Sequence, residues 1–307
     1  MCIRDSACTL WAVAGEKVQG EGALLAKNRD RKPQKSELEL IIPEKGLTYL
    51  GLFSVVKGKR GGLVAGINEK GLSIVSATAS SLSKKAGSQV TKSVNEEVLR
   101  MHGSVEAVLK NQNLFIKSSP SFYMVADKDA IAIIEVAPHG KVSVRTKTDG
   151  VLFHTNHYID EDFLQLNKNI GESSEKRLYR IQSMLEGHGS SFTIDDFVAF
   201  SEDTRDGHDN SIWRTGSSPQ KERTIATWIV YIPKKGAPEI FLKVANPGEE
   251  PWVMNTVLDH SSVSYTHLRA HETVLDLVCR LLLEKKKNTK NTEYKIQATE
   301  YIQKRVK

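Results

Sequence analysis

Ala7-Cys8-Thr9-Leu10-Trp11-Ala12-Val13-Ala14, then the polar stretch Gly15-Glu16-Lys17-Val18-Gln19-Gly20-Glu21, then Gly22-Ala23-Leu24-Leu25-Ala26-Lys27. Two short apolar runs separated by a glycine-containing polar turn read as a β-hairpin. This hairpin sets the frame of the fold. It starts on a small residue and a cysteine, and its second strand runs into the charged sequence Asn28-Arg29-Asp30.

Downstream, the same pattern recurs. Leu38–Ile42 and Thr48–Val55 are predicted strands around Pro43-Glu44-Lys45-Gly46, and Gly62–Ile67 and Leu72–Ala77 flank Asn68-Glu69-Lys70-Gly71. Asn68 and Gly71 are expected turn formers, since both tolerate positive φ. From Ser93 to Asn111 the period becomes helical, with Val94, Val98, Met101, Val105 and Val108 three to four residues apart. His102-Gly103-Ser104 divides it into two helices, the second capped by Ser104. Strands resume at Phe122–Ala126, Ala130–Val136, Val142–Arg145 and Val151–His154. Ser173–Leu185 is an amphipathic helix carrying Leu178, Ile181 and Leu185, and Thr193 caps another. Thr224–Ile232 and Glu239–Ala245 are read as the last strands, before Pro247. Short links between strands favour antiparallel pairing over βαβ winding. The expected fold class is α+β, one domain with two mainly antiparallel sheets.

Composition bounds the function. The chain has 307 residues, of which 39% are hydrophobic and 7% aromatic. That is enough for a substantial core, and too apolar for a disordered chain. No apolar run reaches the roughly 18 residues of a membrane-spanning helix. Three cysteines, Cys2, Cys8 and Cys279, supply neither a disulfide scaffold nor a four-cysteine zinc site. The formal net charge is +6, but residues 263–307 hold ten Lys/Arg against five Asp/Glu, and residues 1–6 are neutral. The body, 7–262, is left with a net charge of +1. The basic pI therefore gives no support to nucleic-acid binding.

The two ends differ from the middle. Met1-Cys2-Ile3-Arg4-Asp5-Ser6 has no apolar stretch and is not a signal peptide. It resembles translated sequencing-adapter read-through, as do Val263–Thr273 and Val278–Lys287. Residues 1–7 are thus expected to be a non-native or removed leader, 8–262 the domain, and 263–307 a foreign basic tail. His267 and His271 have the spacing of a helical metal pair, but no Glu follows the first, so no metal site is expected there. Localisation, cytoplasmic or exported, stays open. With the ends set aside, the body has one cysteine, Cys8.

A thiol at the head of a strand is a modest nucleophile until a base is supplied. An N-terminal cysteine carries its own base, an α-amine of pKa about 8. Attack on an acyl carbon further needs donors for the oxyanion and a cation or hydrogen bonds for orientation. The chain offers, in order, Ala7-Cys8-Thr9-Leu10-Trp11, Lys27-Asn28-Arg29-Asp30, Gly66-Ile67-Asn68-Glu69-Lys70-Gly71-Leu72, Thr155-Asn156-His157 and Ser173-Ser174-Glu175-Lys176-Arg177. These segments resemble the N-terminal-nucleophile (Ntn) hydrolases, in the branch of choloylglycine hydrolases and penicillin V acylases. They are closer to the penicillin acyltransferase and carcinine hydrolase relatives. The resemblance spans roughly residues 8–250 and implies an αββα sandwich of two antiparallel sheets.

The same resemblance implies roles. Cys8 matches the nucleophile, Asp30 the aspartate that holds its amine, and Asn156 the oxyanion asparagine. Arg177 matches an arginine that supports the site from the following helix. The family arginine falls at Lys27, so Arg29 is a candidate for the cation. Thr78 stands where bile-salt and penicillin relatives carry Asn or Tyr, which argues against bile-salt specificity. Arg29, Thr78 and Trp213 are the expected substrate contacts, Trp213 from the loop Asp206–Arg214. That loop lacks the Gly-x-Ser-x-Gly elbow that would make Ser211 a serine nucleophile. His154 and His157 flank a strand end and lack nearby carboxylate ligands, so neither metal binding nor a base role is expected of them.

The reading is a cofactor-free amidase or acyltransferase acting on a small acyl amide, with no nucleic-acid or membrane partner, and with a homo-oligomer allowed. Its competitors are a bile-acid-type or homoserine-lactone-type acylase and, in another class, a non-catalytic Ntn-fold binding protein. If residues 263–307 are foreign, deleting them leaves the melting temperature unchanged. A fall of several degrees, equivalent to about 1 kcal/mol or more, would place the tail in the core.

Overall fold

The opening hairpin forms, and its second strand is longer than the apolar run. In the computed structural model, which describes residues 7–82 and 93–258, β1 (Cys8–Ala14) pairs antiparallel with β2 (Ala23–Arg31). Asn28 and Arg29 pair with β1 on one side and β11 on the other, Asp30 pairs with β11, and all three are buried. The chain divides into two units, Met1–Asp259 and His260–Lys307, and the described residues all lie in the first. The readings made of the leader 1–6 and of the tail lie outside the described residues.

The remaining strands are β3 (Lys35–Ile41), β4 (Tyr49–Val56), β5 (Lys59–Asn68), β6 (Ser73–Thr78), β7 (Ser121–Ala126), β8 (Ile131–Val136) and β9 (Val142–Lys147). They continue with β10 (Gly150–His154), β11 (Arg223–Ile232), β12 (Glu239–Val244) and β13 (Trp252–Val257). The helices are α1 (Val94–Met101), α2 (Val105–Lys110), α3 (Asn113–Ile116), α4 (Glu172–Glu186), α5 (Ile194–Ser201) and α6 (Gly207–Asn210). The first sheet has the order β10-β1-β2-β11-β12-β13, and the second runs β3 to β9 in sequence. Every pairing within the two sheets is antiparallel. No helix among the described residues is long and apolar enough to cross a membrane.

Period-2 alternation sorts each sheet into two faces. On the first sheet, Trp11, Val13, Leu24, Ala26 and Ile229 pack against Ile181 and Leu185 of α4 and Phe197 of α5. On the second, Phe53, Leu63, Ile74, Val125 and Ile134 pack against Val94, Val98, Val105, Val108 and Phe115 of α1 to α3. The residues of opposite parity turn toward the other sheet. Leu10 and His154 are ladder partners on the first sheet, and the His154 ring lies 4.1 Å from that of Phe122 on β7. The layers are therefore α, β, β, α, as the resemblance implies.

Local signals explain the helix starts. The side chains of Ser93, Ser104 and Thr193 each accept an amide three residues on, and Thr193 with Asp196 completes a capping box. The helical stretch that starts at Ser93 ends at Lys110, and α3 follows as a separate turn. Residues 245–251 do not end the sheet as expected: β13 adds an edge strand beyond Pro247, pairing Met254 with Leu242.

Candidate active site

The ladder between β1 and β2 places Cys8 opposite Arg29, Thr9 opposite Asn28 and Leu10 opposite Lys27. Since Trp11 and Ala26 face the helices, Cys8, Lys27 and Arg29 face the second sheet, and Thr9, Asn28 and Asp30 face the helices. Lys27 Nζ donates to the carbonyls of Val64, at 2.8 Å, and Ser76, at 2.6 Å, both on the second sheet. Burial pulls its pKa down to about 8, against an opposing pull from Cys8. Arg29 donates to Ser36 Oγ at 2.7 Å and Gln34 Oε1 at 2.9 Å, and burial lowers its pKa also. Both cations thus have neutral hydrogen-bond partners on the face that carries the thiol.

The other face carries the counter-charge. Asp30 is fully buried and accepts the Thr224 hydroxyl at 2.8 Å. A bulge in β11 between Thr224 and Ala226, opposite Asp30 and Arg29, puts Thr224 beside Asp30. Asp30 Oδ2 lies 3.6 Å from Arg214 Nη1 and 3.9 Å from Arg177 Nη1. Burial pushes the Asp30 carboxyl above the usual carboxylate range, and the two guanidinium groups oppose that rise. Arg214 also pairs with Glu222 at 2.8 Å.

Arg177, on α4, is the meeting point. Its Nη1 donates to the Cys8 carbonyl at 2.7 Å and to Thr9 Oγ1 at 2.8 Å. Its Nη2 donates to Asn156 Oδ1 at 3.1 Å, and its Nε to Ser173 Oγ at 3.2 Å. Asn156 Oδ1 accepts a second donor, the Cys8 backbone N–H, at 2.7 Å. Four residues singled out in the sequence, Cys8, Asp30, Asn156 and Arg177, are therefore brought around one guanidinium.

The segment after β10 is pinned from several sides. Ser174 Oγ accepts the Asn156 N–H at 3.0 Å and lies 2.8 Å from His157 Nδ1. Asn156 Nδ2 donates to the Thr78 carbonyl at 3.0 Å, so what Thr78 turns toward Asn156 is an acceptor. His157 has its pKa lowered to about 4, first by burial and then by the charges of His154 and Arg177, which leaves it neutral at physiological pH. The expectation that the two histidines lack carboxylates needs correction. His154 is buried with its Nε2 3.0 Å from Oε1 of Glu135, which comes from β8, nineteen positions earlier. The strand end points inward, where the His154 ring packs at a tilt against Phe122 between the sheets.

The expected substrate contacts are placed differently. Arg29 is across the ladder from Cys8, and Thr78 meets Asn156. The Trp213 ring lies 4.5 Å beneath Lys243 Nζ, which also binds Glu202 after α5, so it stands on the helix-covered side of the first sheet. Cys8 faces the other side.

With that geometry in view, the comparisons with known proteins are informative. Residues 18–246 match the family model described as acyl-coenzyme A:6-aminopenicillanic acid acyl-transferase. The chain belongs to this family. The match contains Asp30, Asn156 and Arg177 and begins after Cys8. Among solved structures, penicillin V acylase from Agrobacterium tumefaciens superposes with a TM-score of 0.50 at 16% identity, over 82% of this chain and 86% of that one. A variant of the conjugated bile acid hydrolase from Clostridium perfringens gives 0.49 at 13% identity, over 85% of this chain and all of that one. No curated protein matches the sequence. The acyl-transferase family and the shared Ntn fold make this chain an Ntn-type amidase or acyltransferase.

Sequence reasoning missed Arg214, Thr224, Ser174 and Glu135 as members of the site. Arg214 closes the loop in which Ser211 and Trp213 are the conspicuous residues. Glu135 is the one charge in an apolar strand, the single signal that could have drawn notice.

Lys27 gives a test of this electrostatic arrangement. Its folded pKa lies below its unfolded value, so between about pH 8 and pH 10.5 the unfolded chain holds a proton that the folded chain has released. Stability from this residue therefore rises with pH across that window, by up to roughly 3 kcal/mol at about 1.4 kcal/mol per unit. Urea unfolding of the parent and of Lys27→Met across that range is expected to show the rise in the parent alone. Parallel curves would count against the depressed ammonium.

Proposed function

We propose that the active unit is the domain beginning at Cys8, that Cys8 is its nucleophile, and that Asn156 and Arg177 organise acyl transfer at a small acyl amide. One observation carries the reading: a single amide oxygen, Asn156 Oδ1, accepts both the Cys8 nitrogen at 2.7 Å and Arg177 Nη2 at 3.1 Å. Residues 148 and 21 positions apart in the chain are thereby held within hydrogen-bond reach.

The steps follow from the groups. The Cys8 thiol gives its proton to the α-amine of the same residue, and Sγ attacks the amide carbon. The carbonyl oxygen takes the negative charge. Asn156 Nδ2, oriented by the Thr78 carbonyl, is the side-chain donor for it. Lys27 and Arg29, buried beside the thiol with neutral partners, direct a positive field at that oxygen. Such fixed donors and charges act where charge develops, and one donor is worth about 3 kcal/mol. Collapse breaks the C–N bond, the α-ammonium protonates the departing amine, and a thioester on Cys8 remains. Water resolves it in hydrolysis, a second amine in transfer. Asp30 acts through Arg177, whose Nη1 lies 3.9 Å from Asp30 Oδ2 and donates to the Cys8 carbonyl, while the acceptor on the Cys8 nitrogen is Asn156 Oδ1.

In the chain as written the Cys8 nitrogen is a peptide nitrogen and accepts no proton near neutral pH. General-base help is worth about 10²–10⁴ in rate. A chain that starts at Cys8 is expected to exceed the full chain by about that factor in hydrolysis of penicillin V or another phenoxyacetyl amide. Equal rates, with mass spectrometry showing that residues 1–7 are still attached, would overturn the α-amine mechanism. In the faster form Cys8→Ala should retain the melting temperature and lose turnover by more than about a hundredfold, because the nucleophile acts only on the transition state. Retained turnover would remove Cys8 from the chemistry.

A further inference from the structure

Glu135 is a carboxylate inside an otherwise apolar strand, 1% exposed, on the sheet opposite to the one that carries Cys8. Its Oε1 takes three donors: His154 Nε2 at 3.0 Å, the Ile159 amide at 3.1 Å and the Asp160 amide at 3.0 Å. Arg145 Nη2 is 3.7 Å away and half in solvent. Its Oε2 is buried without a hydrogen-bond partner. Such a group is a poor device for stability alone: burying an ionised carboxylate is costly, and an apolar residue of similar volume is often as good or better.

The three donors bracket Asn156. His154 precedes it by two residues, and Ile159 and Asp160 follow it by three and four. Neighbouring contacts repeat the bracket. Phe122, the ladder partner of Glu135, packs at a tilt against the His154 ring at 4.1 Å and meets Tyr158 edge-on at 5.0 Å. The Tyr158 hydroxyl donates to the Val136 carbonyl at 2.9 Å. The other His154 nitrogen, Nδ1, is 3.0 Å from the Thr155 carbonyl, the residue before Asn156. Ser174 and Arg177 hold Asn156 from α4, and Glu135 holds both ends of its segment from β8.

We propose that Glu135 is a positioning residue for acyl transfer: its Oε1 clamps the segment 154–160 to the second sheet and so aims the Asn156 amide. It touches neither substrate nor reacting atoms. The inference rests on the oxyanion reading of Asn156. It accounts for a buried carboxylate that the chemistry does not otherwise use. It also adds a side-chain clamp to what the second sheet already supplies, the Val64, Ser76 and Thr78 carbonyls.

The test is a double-mutant cycle on turnover of 4-nitrophenyl acetate, with the rate of Cys8→Ala subtracted. It uses whichever of the full chain and the chain starting at Cys8 turns over faster. Glu135→Leu, which removes the acceptor, is expected to lower kcat about 10- to 100-fold, the range of one lost oxyanion donor or less, with KM within about twofold. Glu135→Gln keeps the Oε1 acceptor and should recover at least about tenfold of a hundredfold loss. In an Asn156→Ala background Glu135→Leu should change kcat by no more than about twofold, because positioning an absent amide is worth nothing. Additive losses, an unchanged kcat in Glu135→Leu, or no recovery in Glu135→Gln would each overturn the proposal. If Glu135→Leu shows no cooperative melt, His154→Leu takes its place in the cycle under the same criteria. Asn156→Ala alone reports on the oxyanion reading. If it leaves kcat unchanged, that reading falls and this inference with it. If it lowers kcat while the cycle is additive, only this inference falls.

Discussion

A guanidinium taken out of water needs acceptors for its hydrogens, and a counter-charge offsets much of its desolvation cost. Arg177 finds the acceptors in the Cys8 carbonyl, Thr9 Oγ1, Asn156 Oδ1 and Ser173 Oγ, and the charge in Asp30. Those groups come from β1, β2, α4 and the segment after β10. The hairpin ladder joins β1 to β2 and apolar packing sets α4 on them, but apolar burial is non-directional and does not by itself fix where the helix and the asparagine segment meet the strand end. The directional demand of one buried side chain registers the strand start against the helix and the asparagine. Arg214 and Glu222 extend the cluster, so Asp30 answers to two cations and is not stranded as a lone buried charge.

How far the sequence announces this differs between layers of the structure. Alternating strands, serine and threonine caps and the stripe Leu178, Ile181, Leu185 are local, and the fold follows them closely. Two departures share a physical cause. The apolar run stops at Lys27, yet the strand continues buried through Asn28, Arg29 and Asp30, since partners up to 199 positions away satisfy it. His154 looks unpaired because its carboxylate lies on another sheet. Polar burial is decided by long-range partners, and a window of sequence holds only one side of each pair. The strand β13 was hidden differently: Pro247 and Pro251 suggest an ending, while an edge strand can begin just after a proline.

The site was legible in kind through motif order, and its wiring was not. Cys8, Asp30, Asn156 and Arg177 lie around one guanidinium, and their roles are the subject of the proposal. Trp213 does not join them: its ring is taken by Lys243 on the helix side of the sheet. Period 2 makes this outcome physical. A residue two places from a site residue along a strand shares its face, whereas a loop residue next to Arg214 carries no such guarantee. Lys27 shows the same rule working in favour of the site, since its register with Leu10 fixes it on the face of Cys8.

A lysine, Lys27, at the position where the resemblance implies an arginine then has a definite consequence. A guanidinium keeps its charge in any protein environment, while a buried ammonium can lose its proton. Lys27 spends two hydrogens on the Val64 and Ser76 carbonyls and has no carboxylate within ion-pairing distance among the described residues. Arg29, two positions on, is likewise held by neutral groups. Across the strand, the helix-facing side concentrates Asp30 between Arg177 and Arg214. The first sheet therefore separates charge across its own thickness. The compensated cluster holds the strand end in place, and the uncompensated cations face the gap between the sheets. Under the proposal that Cys8 is the nucleophile, a carbonyl bound against it would meet a positive field that acts most strongly once negative charge develops on its oxygen. That is the condition under which fixed charge lowers a barrier and does not merely strengthen ground-state binding.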